Sequence, residues 1–224
     1  MKYRLWIFFC TVLLILACCY CAYAETTITA MATDIDPNHL EKVSSYARIL
    51  EYNEEKNTLS VELIVPEIFA EDDILDLEIG DKIFTSGSEV EVQTIDWYEE
   101  YGYLVINAGI QEHAPGSIYL HEDRWGNYIP ERYAHKTYNT IAVIECPITD
   151  HLLFLDYISS DTCDALDLPS VYTAIEFLEI FRNTKENGTV GPVYLVDFDI
   201  DNVYVVFDGN GQLATIQRFF VSWE

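Results

Sequence analysis

The feature that most restricts what this chain can fold into is a period-two alternation of apolar and polar residues, repeated in short runs and broken by Gly, Asn, Asp and Pro. The run Thr58–Val65 is the clearest. Leu59, Val61, Leu63 and Val65 fall on one face, with Ser60 and Glu62 on the other. Together with Tyr46–Tyr52, across the polar turn Asn53-Glu54-Glu55-Lys56-Asn57, it predicts a half-buried hairpin. Similar runs are Leu77–Ile83, broken at Gly80-Asp81, and Ser88–Ile95, entered through Ser86-Gly87. Tyr103–Asn107, Ser117–His121, Thr140–Cys146 and Leu152–Ile158 follow. Short strands at this spacing predict an antiparallel barrel or sandwich.

Beyond Ser159–Leu168 the period changes. Pro169 suits a first helical position, and Val171, Ala174, Ile175, Leu178 and Phe181 recur at helical spacing until Asn187-Gly188 ends the run. Three strands are predicted after it, Val193–Ile200, Val203–Phe207 and Gln212–Val221. Asp201-Asn202 and Asp208-Gly209-Asn210-Gly211 link them with residues that tolerate positive φ. The fold class is therefore α+β and predominantly β. The chain divides into a leader at 1–24, a β-rich part at 25–158, and at 159–224 one helix packed on a three-stranded antiparallel meander. The last two parts can also form one unit.

Half of the 224 residues are hydrophobic and 14% are aromatic, which is ample apolar surface to offset the entropy of ordering. Against 38 Asp and Glu stand 12 Lys and Arg, a net charge of −26. Such a surface repels a phosphate backbone, so nucleic acid is excluded as a partner. Cations and basic partners are attracted instead.

Residues 1–24 have the three parts of an export signal. Lys2 and Arg4 form the charged start, Leu5–Ala17 the apolar run, and Ala22-Tyr23-Ala24 the cleavage pattern. Two competing readings are an uncleaved anchor helix and lipidation, because Ile15-Leu16-Ala17-Cys18 resembles a lipobox that would acylate Cys18. If the leader does not stay on as an anchor, a lipid on Cys18 is the one membrane attachment the sequence offers. Cleavage after Ala24 removes Cys10, Cys18, Cys19 and Cys21 and leaves Cys146 and Cys163. In an exported chain these two predict a disulfide, with a pair of buried thiols as the alternative.

Two residue groups point to chemistry. Aromatic residues concentrate between Trp97 and Tyr138, interleaved with acids. Trp97, Tyr98 and Tyr101 flank Gly102, while Trp125 and Tyr128 flank Gly126. Rigid rings with polar tips beside carboxylates suit sugars or peptide segments, and those five residues are the candidate ligand-binding set. Asp197, Asp199, Asp201 and Asp208 copy part of the spacing of a calcium loop and form the candidate metal set. Asn202 stands where such a loop needs Gly, and Val203–Phe207 reads as a strand. No cofactor is expected from the sequence, with calcium as the one alternative. His113, His121 and His135 are too loosely spaced to define a metal site. No Gly-x-Ser-x-Gly elbow or phosphate-binding Gly loop occurs. Asn187-Gly188-Thr189 is a glycosylation sequon if the host glycosylates.

These features favour an exported, non-enzymatic module binding an extracellular carbohydrate, peptide or protein through its aromatic and acidic loops. The alternatives are an extracellular hydrolase using paired carboxylates and a calcium-dependent structural or adhesion protein.

Overall fold

The computed structural model describes residues 26–108, 117–132, 135–158, 165–187, 198 and 203–219. Strands dominate, as the alternation predicts, and they form three open sheets with no closed barrel among the described residues. The chain divides into two compact units, residues 1–30 with 68–135 and residues 31–67 with 136–224.

The first unit contains β1 (Thr27–Thr29), α1 (Glu71–Leu75), β4 (Lys82–Thr85), β5 (Ser88–Glu91), β6 (Ile95–Tyr98), β7 (Tyr103–Ile106), β8 (Ile118–Glu122) and β9 (Tyr128–Arg132). A 3-10 turn, Glu99–Tyr101, joins β6 to β7. β1 lies parallel to β4, which pairs with β5 in a three-stranded sheet. β6 to β9 run as an antiparallel meander, which β10 (His135–Lys136) extends to five strands. Ile28, Ile83, Leu104, Ile106, Ile118 and Leu120 from both sheets bury one cluster with Phe69 and Ile74. Alternation creates this core: Leu104 faces Leu120 and Ile106 faces Ile118 across β7 and β8.

The second unit is a seven-stranded sheet. Its strands are β2 (Ser44–Asn53), β3 (Thr58–Pro66), β11 (Tyr138–Pro147), β12 (Leu153–Ile158), β13 (Ala165–Thr173), β14 (Val203–Phe207) and β15 (Leu213–Arg218), in the order β11-β3-β2-β14-β15-β12-β13. The hairpin of β2 and β3 forms as the sequence predicts, with Asn57 at φ 51° closing its turn. β14 and β15 are also an antiparallel pair.

Their setting corrects the expected architecture. The C-terminal hairpin does not make a separate meander under the helix. It is inserted between β2, which pairs antiparallel with β14, and β12, which pairs parallel with β15. Burial drives the insertion, because Val203, Val205, Phe207, Leu213 and Ile216 are all buried beside Ala47, Ile49 and Phe154. The first of the three predicted strands, Val193–Ile200, lies outside the described residues except for Phe198. That ring is buried in the same core, and its carbonyl accepts a hydrogen bond from the Ile49 amide at 3.1 Å.

The helix is corrected as well. α2 spans Ala174–Asn187, and Pro169 belongs to β13. Among the described residues β13 pairs only with β12, so Pro169 stands on an edge strand, where a missing amide is tolerated. The start is set by Thr173 and Glu176: the amide and hydroxyl of Thr173 both donate to Glu176 Oε2 at 2.8 Å. These bonds hold the Glu176 carboxyl below its ordinary pKa. Moving the start also rotates the buried stripe onto Ala174, Phe177 and Phe181, while Val171 and Ile175 face outward. Thr173→Ala should destabilise the fold by about 1 kcal/mol in denaturant unfolding, the usual cost of a lost helix cap.

Candidate functional site

In the meander, directly opposed residues share a face, so register decides which aromatics meet. Tyr98 opposes Tyr103, which opposes His121 in turn. These side chains stand on the face opposite the Leu104–Leu120 core row. The Tyr98 and Tyr103 rings stack at 5.0 Å, and Tyr101 from the 3-10 turn stacks on Tyr103 at 6.0 Å. Tyr119 and His121 approach the Tyr103 ring at 6.0 and 5.4 Å. His121 Nε2 lies 3.3 Å from the Glu131 carboxylate.

Trp97 and Tyr128 occupy the other side. Trp97 shares the row of Leu104, Leu120 and Pro130, and its ring meets Tyr128 edge-on at 6.3 Å. Tyr128 is buried. Burial first, then the charges of Glu122 and Glu71, push its hydroxyl above the ordinary value. The predicted set of five is therefore divided by the sheet, Tyr98 and Tyr101 on one face and Trp97 with Tyr128 on the other. Trp125 stands at the β8–β9 turn, with the Arg124 guanidinium 3.9 Å over its ring.

The two turns carrying these rings lie side by side, since the Glu122 amide donates to the Gly102 carbonyl at 3.2 Å. Exposure is 47% for Trp97, 65% for Tyr101 and 69% for Trp125. Asp123 builds the second turn, its Oδ1 accepting from the Trp125 and Asn127 amides at 2.7 and 3.0 Å. Gly126 has φ +88°, a conformation L side chains rarely adopt, so the turn favours glycine there.

Asp208 builds the same kind of turn in the second unit. Its Oδ1 accepts from the Asn210 and Gln212 amides at 2.7 and 2.9 Å, with Gly211 at φ +73°. Those bonds lower its pKa. The carboxylate offered for calcium is thus engaged with backbone, and Asp197, Asp199 and Asp201 lie outside the described residues. Among the described residues, no group of three or more His, Cys, Asp or Glu is arranged to hold a metal ion.

Neither a protein family, a curated protein nor a solved structure matches this chain.

Hydrogen bonds lower the carboxyl pKa of Asp36, as they do for Glu176 and Asp208. Cys146 is a buried free thiol, pushed up to about 12 by burial and then by Glu145. Its expected partner, Cys163, lies outside the described residues. In a reduced Cys163→Ser chain, Cys146 should resist alkylation at pH 8 until the protein is unfolded, as mass spectrometry would read directly.

Sequence reasoning missed a second polar group, the ion pair of Asp156 and Arg218. Arg218 Nε and Nη2 reach the two carboxylate oxygens at 3.1 and 2.5 Å, with side chains 5% and 6% exposed. The guanidinium lies 4.7 Å from the Phe198 ring centre and 5.5 Å from that of Phe154. The signal available was an Asp and an Arg at buried positions of two strands whose other buried positions are apolar.

Proposed function

We propose that this protein is an exported, non-enzymatic binding module that engages an extracellular carbohydrate or peptide through the two aromatic turns of its five-stranded sheet. The observation carrying this reading is the exposure of three large rings at one end of the meander: Tyr101 and Trp125 on adjoining turns, and Trp97 near the end of β6 on the other face from Tyr101. Large rings are ordinarily drawn into a core, and here the core of the same unit is already filled by Leu104, Ile106, Ile118 and Leu120. Rings held on a sheet also lose little entropy on contact with a ligand.

A glycan and peptide array probed with the purified chain tests the proposal. Binding should appear and fall at least tenfold in Trp97→Ala or Tyr101→Ala. Binding that is indifferent to both would place the contact elsewhere.

Export rests on residues 1–24 alone. N-terminal sequencing of the protein recovered from outside the cytoplasm should begin at Glu25. An acylated Cys18 would assign it to a membrane surface, and an intact leader on cytosolic protein would refute export.

A further inference from the structure

We propose that the Tyr98 and Tyr101 side of the meander is a docking surface for a lysine- or arginine-rich peptide segment, a refinement that rests on the binding-module reading above. Charge complementarity selects this occupant. Residues 68–135 contain 15 Asp and Glu against only Lys82, Arg124 and Arg132. Asp96 shares the Tyr98 face of β6 and Glu100 precedes Tyr101 in the 3-10 turn; both are exposed, as are the two tyrosines.

Aromatic faces attract cations through the ring quadrupole, and carboxylates at the rim add attraction that a neutral sugar does not feel. An acidic glycan would be repelled. The molecule already contains the interaction in miniature, because Arg124 covers Trp125 at 3.9 Å. Geometry suits an extended segment. Among the described residues β6 ends its sheet, so a strand laid beside it would set every second side chain on the face bearing Asp96 and Tyr98.

The test is a fluorescence titration of the full chain with a labelled eight-residue peptide alternating Lys and Thr. Parallel arms use a Glu-Thr peptide and a neutral oligosaccharide. The Lys-Thr peptide should bind in low salt and weaken as salt rises. Affinity should fall about tenfold in the Tyr98→Ala, Tyr101→Ala double variant and return in Tyr98→Phe, Tyr101→Phe, which keeps the rings. Equal affinity in the alanine variant would mean undirected attraction to an acidic protein and would overturn the inference, as would equal binding of the Glu-Thr peptide. Tyrosine-dependent binding of the oligosaccharide without binding of the Lys-Thr peptide would overturn the basic partner while sparing the binding module. If no arm binds, both fail.

Discussion

Arg218→Ala should cost about 3–5 kcal/mol of folding stability, measured by denaturant unfolding, and Asp156→Ala should cost a similar amount. Each truncation leaves one buried charge without its main counter-charge, inside a core where water cannot replace it. Asp156 also accepts the Ile158 amide at 3.2 Å, next to the irregularity between Asp156 and Ile158 in the β12–β13 register, so its loss disturbs the backbone as well. The pair need not be strongly stabilising in itself, because desolvating two charges offsets much of their attraction. Replacing both with apolar residues, Asp156→Leu with Arg218→Met, should therefore recover most of the loss. A double-mutant cycle separates these terms, and additive costs in the double variant would contradict a coupled pair.

Phe177→Ala is the second large effect, again about 3–5 kcal/mol. Phe177 is fully buried on α2, and its ring meets Phe154 at 5.2 Å, Phe198 at 5.6 Å and Phe181 at 5.9 Å. Removing it opens a cavity among rings fixed by three separate segments, which limits how far the site can collapse. Ile175→Ala, one helix position class away and exposed, should change stability by less than about 0.5 kcal/mol. That contrast tests the orientation of the helix, since the sequence pattern alone assigned Ile175 rather than Phe177 to the buried stripe.

Local alternation made most strands legible. Leu59, Val61 and Leu63 mark β3 because one face is apolar, and the turn at Asn53–Asn57 needs no distant information. Sheet order was not legible, since insertion of β14 and β15 between β2 and β12 depends on which apolar faces meet after collapse. β9 escaped notice because Pro130 interrupts its run, and β13 because Pro169 resembles a helix start. The Thr173-x-x-Glu176 capping pattern was present in the sequence and outweighs that proline.

The aromatic site was legible in composition but not in geometry. Trp97 and Tyr98 are neighbours in sequence, yet strand alternation sends them to opposite faces. Tyr103 lacked any distinguishing local context, and only register reveals that Tyr98, Tyr101, Tyr119 and His121 converge on it.

On the proposed reading, partner recognition resides in the meander rather than in the seven-stranded sheet. Two-dimensional amide NMR of the full chain, titrated with the Lys-Thr peptide and the neutral oligosaccharide, tests it most directly. Saturable shifts should concentrate at residues 95–105 and 119–129, with the indole signals of Trp97 or Trp125 among them. Shifts confined to residues 31–67 and 136–219 would contradict it.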